Sequence, residues 1–248
     1  MNNSNGRNFE ELPVVLLHGT SGRSEDWSQV VEQSGSDPTV TRPNYAEPVA
    51  GTNAINVPRI SDFADRVLAA IRASGSDRFD LGGYSLGAAV ATFIAVEHPE
   101  TVRSLVLISG FNYGGDPRMR LQFDLWLQLA RTDKVALGKL LLASGLSREF
   151  VSAFDENTVN GIVQGVVATS DWLLIEQNIR VDLAVDVRKQ AKKIKAPTLS
   201  MVGKYDQIVP PFYTQELVEL IPTSETAVIA SGHLSFLEKP IELASALK

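Results

Sequence analysis

The strongest constraint on the fold of this chain is an alternation of segments. Short continuous apolar runs recur at "PVVLLHG" (13–19), "RFDLGG" (78–83), "VRSLVLIS" (102–109), "PTLSMVG" (197–203) and "TAVIA" (226–230). Runs of this length without polar alternation suit strands buried on both faces. Between them lie helical patterns. The clearest is "ISDFADRVLAAIRAS", in which Ile60, Phe63, Ala64, Val67, Leu68 and Ile71 recur at helical spacing. "SEDWSQVVEQ" reads as a helix with Ser24 as its N-cap, "PFYTQELVELI" (211–221) as another, and a final helix follows Ser235. "TVTRP" is a weaker strand, and 43–59, rich in Pro, Asn and Gly, is a loop. Strand and helix in alternation predict an α/β fold. The sheet is mostly parallel, has about six strands, and carries helices on both faces.

One stretch departs from this alternation. Residues 111–195 contain no convincing strand but hold "RLQFDLWLQLA", "ALGKLLLAS" and "NGIVQGVVATSDWLLI". The expected organisation is therefore a core of 1–110 and 196–248 with an all-helical insertion at 111–195. Its apolar residues cover more than one narrow face. They suit either a subdomain with its own small core or a lid that packs on the sheet and lines a cavity. Phe123, Trp126, Leu127, Leu140, Leu141, Val163 and Trp172 are its candidate wall residues.

Composition excludes several classes. The chain of 248 residues has a net charge of −6 and no basic cluster, which argues against a nucleic-acid partner. It has no cysteine, so disulfides and thiolate metal sites are ruled out. No apolar run approaches the roughly 20 residues of a membrane helix, and the polar start lacks a signal core. A cytoplasmic protein, monomer or homodimer, with a small-molecule partner is expected.

Within "LGGYSLGAA" lies Gly83-Tyr84-Ser85-Leu86-Gly87, a G-x-S-x-G pattern between a predicted strand and a predicted helix. A serine on such a corner is held in a strained backbone conformation with its hydroxyl clear of the sheet. Gly83 and Gly87 let strand and helix approach closely. The segment is not a phosphate loop, because Tyr84 and Ser85 stand where a further glycine would be needed.

A serine hydroxyl needs a base, and the base needs an orienting carboxylate. Of the three histidines, His98 in "EHPE" ends a helix and reads as a capping residue, and His18 sits at a strand end. His233, in a loop after the last strand, is the candidate base. Asp206 in "VGKYDQIVPP" is the candidate acid, with Asp116 in "YGGDP" as its substitute.

Ser85, Asp206, His233 is the chain order of the α/β-hydrolases. The segments "VVLLHGTSGRSEDW", "GGYSLGAAVATFIAVEHPETVRSLVLIS", "APTLSMVGKYDQIVP" and "SGHLSFLEKP" resemble a lidded α/β-hydrolase fold protein over nearly the whole chain outside the insertion. The resemblance implies that the backbone N–H groups of Thr20 and Leu86 form an oxyanion hole. It also implies that His18 and Gly19 order that loop. With only polar residues before the "HG" strand, six strands are expected rather than eight. Tyr84, Trp126 and Trp172 are candidate pocket residues. No cofactor is expected, and no metal-ligand spacing is present.

The implied chemistry is hydrolysis of an ester, lactone or thioester of a small, partly apolar molecule through an acyl-enzyme on Ser85. Serine at the elbow argues against the branches of this fold that use aspartate there. Two other classes fit the same residues. One is a non-hydrolytic triad enzyme acting by elimination, acyl transfer or perhydrolysis. The other is a small-molecule sensor with slow or no turnover.

Overall fold

The computed structural model describes residues 12–35, 40–46 and 58–247. Most of the predicted loop, 47–57, lies outside them, as does the start of the chain.

Six strands form one sheet: β1 (Val14–Leu17), β2 (Val40–Thr41), β3 (Phe79–Tyr84), β4 (Val102–Ile108), β5 (Thr198–Gly203) and β6 (Ser224–Ile229). Their order is β2-β1-β3-β4-β5-β6, and every pairing is parallel. The order reverses between β1 and β3. In such sheets the crevice outside the carboxyl ends of the strands, at that reversal, is where ligands bind.

The apolar runs are continuous because both faces of the sheet are covered. Val15 and Leu17 of β1 join one apolar cluster and Leu16 the other. Leu105 and Leu107 of β4 join the first and Ile108 the second, as a two-residue side-chain period requires. The first face packs α2 (Ile60–Ala73) and α3 (Leu86–Glu97). The predicted stripe of α2 is buried from Phe63 to Ile71. The second face packs α1 (Ser28–Ser34) and the C-terminal helices.

Between β4 and β5 lie α4 (Pro117–Thr132), α5 (Lys134–Gly145), α6 (Arg148–Val151), α7 (Glu156–Thr169), α8 (Trp172–Ala184) and α9 (Arg188–Ala191). Side chains of Asp116, Asp133, Ser147, Asp155 and Asp171 cap α4 to α8 in turn, each accepting a backbone N–H of the first turn. Phe123, Trp126, Leu137 and Ile175 of this insertion belong to the same buried cluster as the sheet and α3. No helix among the described residues is long and apolar enough to cross a membrane.

Two local expectations need correction. Ser24 does not cap a helix. It is the first residue of a 3-10 turn (Ser24–Trp27) that precedes α1, and the cap position is Arg23, whose backbone N–H donates to Asp26 Oδ2 at 3.1 Å. The final helix is two, α10 (Pro211–Leu220) and β6 being followed by α11 (Ser235–Glu238) and α12 (Pro240–Ala246). Pro240 lacks the N–H that would continue α11 and instead opens α12.

Candidate active site

Ser85 sits between β3 and α3 with φ 54° and ψ −116°, a backbone that few L residues adopt. Such strain costs on the order of 1–3 kcal/mol and persists only where the surroundings enforce it. The enforcement is visible at the two flanking glycines. A Cβ on Gly83 would lie 2.3 Å from the Gly87 carbonyl oxygen, and one on Gly87 would lie 2.6 Å from the His18 carbonyl oxygen. Ser85 N–H donates to the Ile108 carbonyl at 2.9 Å, which pins the corner to β4.

The chain brings Ser85, His233 and Asp206 together. His233 Nδ1 lies 2.7 Å from Asp206 Oδ2, and Nε2 lies 3.1 Å from Ser85 Oγ. A carboxylate can only accept, so Nδ1 carries the proton and Nε2 is left to accept from the serine hydroxyl. Asp206 Oδ1 accepts from the backbone N–H groups of Ile208 (3.0 Å) and Val209 (2.8 Å), which fix the carboxylate plane. All three residues are buried.

The loop carrying His233 is held in turn by the insertion. Leu234 N–H donates to the Gly145 carbonyl at 2.8 Å. Glu238 Oε1 accepts from the N–H groups of Ser147 and Gly232, both at 2.9 Å.

The other acid and base candidates are engaged elsewhere. Asp116 caps α4 and accepts from the Tyr213 hydroxyl, a bond that holds its carboxyl below the usual carboxylate range. His98 is the C-cap of α3, its N–H donating to the Ile94 carbonyl.

Thr20 and its neighbours form the loop after β1. His18 Nδ1–H donates to the Gly19 carbonyl at 2.8 Å, and the Tyr45 hydroxyl donates to the His18 carbonyl at 2.6 Å. The two rings stack at 4.6 Å. Burial lowers the His18 pKa, which favours its neutral form. Gly19 packs against the Tyr84 ring, where a Cβ would lie only 2.9 Å away.

Two residues of α8 that sequence reasoning missed clamp Thr20. Asp182 Oδ2 accepts from its hydroxyl at 2.6 Å, and Asn178 Nδ2 donates to its carbonyl at 2.9 Å. Both are fully buried, and burial pushes the Asp182 carboxyl well above its usual range. Their only signal in the sequence is a pair of polar residues one turn apart on an otherwise apolar helix face.

Ser85, His233 and Thr20 open onto a cavity of about 360 Å³ between core and insertion. Tyr84, Trp126 and Trp172 all line it, with Phe123 and Leu141; Leu127, Leu140 and Val163 of the insertion do not. Trp172 is fixed by its Nε1–H to the Val167 carbonyl at 3.1 Å, and Trp126 meets Phe123 edge to face at 5.4 Å. Leu86, the first residue of α3, is fully buried, and its side chain is outside the cavity. Among the described residues no group of three or more His, Cys, Asp or Glu could hold a metal ion.

A single parallel sheet, a strained serine at the end of its third strand and an Asp–His pair on later loops are features of one enzyme class. The model for the alpha/beta hydrolase fold matches residues 13–240, and the chain belongs to that family. Its similarity extends to a pyrrolizixenacetamide deacetylase of Xenorhabdus hominickii, 35% identical over 92% of this chain and 86% of that one. A pimeloyl-[acyl-carrier protein] methyl ester esterase of Salmonella heidelberg is 26% identical over 94% of this chain and 91% of its own. Among solved structures, the enol-lactonase of Burkholderia xenovorans superposes with a TM-score of 0.82 at 19% identity, covering 98% of this chain and 92% of that one. These relatives are hydrolases by name.

Proposed function

We propose that the chain is a serine hydrolase that cleaves an acyl bond of a small, partly apolar molecule through an acyl-enzyme on Ser85. The observation that carries this is the unbroken path from Asp206 to His233 to Ser85, at 2.7 and 3.1 Å, on a strained corner facing the cavity. In the first step Ser85 Oγ attacks the carbonyl carbon and its proton passes to His233 Nε2. Asp206 holds the imidazole in the tautomer that can accept it. The oxyanion is held by the backbone N–H groups of Thr20 and Leu86, donors each worth about 2.7–4 kcal/mol in such sites. The leaving group departs with the proton from His233. Water then adds to the acyl carbonyl as His233 takes its proton, and His233 returns that proton to Ser85 Oγ as the acid leaves.

Helices α4 to α8 act as a lid whose apolar side chains hold the non-reacting part of the substrate. The bond is an ester, lactone or thioester, and the acetamide in the name of the most similar relative quoted above adds the amide.

The test is initial rates on p-nitrophenyl esters from acetate to decanoate and on p-nitroacetanilide. They are run for wild type and Ser85→Ala, beside fluorophosphonate labelling. Turnover and labelling that both vanish in Ser85→Ala are expected. Labelling without turnover on any probe would replace hydrolysis by transfer to another acceptor or by elimination. No labelling of folded wild type would sink the assembled triad and leave a binding protein.

A further inference from the structure

The cavity has a second polar corner that the acyl chemistry does not use. Asp26 and Tyr84 both line it, and the other walls are mostly aromatic and aliphatic. The Tyr84 hydroxyl is buried and has no hydrogen-bond partner among the described residues. Asp26 uses Oδ2 for the backbone N–H of Arg23. That capping duty needs only an acceptor, which asparagine would supply without a charge. The carboxylate instead places a partly desolvated negative charge on the wall of an apolar cavity.

From this corner we infer that Asp26 and Tyr84 form a recognition point for an N–H donor, best a protonated amine, carried by the substrate beyond its acyl bond. It rests on the cavity being the substrate site proposed above. Asp26 would accept one N–H through its free oxygen, and a small shift of the Tyr84 ring, whose hydroxyl is closed to solvent as it stands, would let the phenol oxygen accept another. The apolar remainder of the molecule lies against the insertion.

The charges around the corner favour this occupant over an anion. Arg23 is the only lysine or arginine among the described residues that line the cavity, and its guanidinium donates to the Thr169 carbonyl at the end of α7. It makes no ion pair with Asp26, and its charge only partly offsets the cost of burying that carboxylate. Burial still holds that carboxyl raised to about 6, with Glu25 adding to the effect and Arg23 opposing it. At neutral pH the group is therefore mostly ionised and still poorly solvated. A donated N–H would restore what burial took from it. The Tyr84 phenol is pushed well above 10, by burial first and then by the charges of Asp206 and Asp26. It stays neutral and keeps a lone pair to accept with.

The test uses benzylamine and benzyl alcohol, which match in size and differ in charge and donor type. Their dissociation constants are measured by calorimetry at neutral pH on the Ser85→Ala protein, alone and combined with Asp26→Asn, Asp26→Ser or Tyr84→Phe. Benzylamine should bind about tenfold more tightly than benzyl alcohol. That preference should fall to near parity in both Asp26 variants and by a few-fold in Tyr84→Phe. The ratio cancels any general loosening of the cavity, and Asp26→Asn, which keeps the cap, guards against a misfolded Asp26→Ser. An unchanged ratio in the Asp26 variants, or parity in the parent, overturns the inference. Because no turnover is read, a failure of the hydrolase assignment in the ester series remains separate from a failure here.

Discussion

The two sides of the cavity are built on opposite terms. On the core side, α3 has nine of its twelve residues buried, and its first turn carries the serine corner. On the insertion side, α7 has Val163 alone buried among fourteen, yet Val166 and Thr169 still reach the cavity. A helix apolar all round must be packed all round, and atoms attached to it are held to within a few tenths of an ångström. A helix that buries one residue opens at little cost. The core side therefore suits placement of reacting atoms, and the insertion side suits accommodation of variable substrate. Changes on the core side should act on kcat, and changes on the insertion side on KM and substrate choice.

The largest expected effect lies on the core side. In Asp206→Asn the amide oxygen keeps the N–H groups of Ile208 and Val209, so the loop survives. The amide NH2 then faces His233 Nδ1, and the ring proton moves to Nε2, which can no longer accept from Ser85. A loss of kcat of about 10⁴-fold with little change in KM is expected, as in other triads given the wrong tautomer. Steady-state rates on the best p-nitrophenyl ester check it, and a loss below tenfold would mean that Asp206 does not orient the base.

Asp182 breaks the division, because it sits on the insertion and holds Thr20, the proposed oxyanion donor of the core side. Asp182→Ala frees the Thr20 hydroxyl and loosens the direction of its N–H. A fall in kcat of about 10- to 100-fold is expected, less than deletion of an oxyanion donor, with KM within about twofold. Asp182→Asn keeps an acceptor for Thr20 and should recover most of the loss. Equal damage in both variants, or an effect on KM alone, would assign Asp182 to packing.

What could be read from the chain follows the same division. The sheet and α2 were legible because their burial is written locally: unbroken apolar runs such as Val15, Leu16 and Leu17 mark strands covered on both faces, and Phe63 to Ile71 recur at helical spacing. That Ser85, Asp206 and His233 would share one place was legible because each follows a strand of a parallel sheet, and such loops meet at one end. The clamp on Thr20 was not, because Asp182 lies 162 residues away and two polar residues on an apolar helix face do not say what they hold. The turn at Ser24 misled because serine is a good cap in general. Here the cap is made from inside, by Asp26 reaching back to Arg23. That same reach put Asp26 on the cavity wall, where sequence alone offered no reason to look.

On the insertion side the effect should be smaller and of the other kind. Trp172 is half-buried at the start of α8 and lines the cavity from the insertion side. Trp172→Ala should raise KM for short esters by about three- to tenfold, keep kcat nearly unchanged, and move the chain-length optimum toward longer acyl groups. The ester series measured for variant and wild type decides it. A kcat loss larger than the KM change would show that the insertion side also positions reacting atoms.

The smallest effect sharpens the boundary between the sides, because Asp26 belongs to the core side yet serves the cavity. Its pKa is raised from 3.8 to about 6 on folding. The unfolded chain therefore gives up this proton at a lower pH than the native protein does. The native state's advantage from the proton is complete below about 3.8 and is lost as pH rises through about 6, so ionised Asp26 destabilises the fold at neutral pH. Asp26→Asn removes that dependence while keeping the cap. Relative to wild type, its melting temperature should be higher by a few degrees at pH 7.5 and equal or slightly lower at pH 4. Other buried acids, Asp182 among them, titrate alike in both proteins and cancel in the difference. A difference in melting temperature that is the same at both pH values would mean that the Asp26 carboxyl is well solvated. The charge on the cavity wall would then be too weak to select an amine.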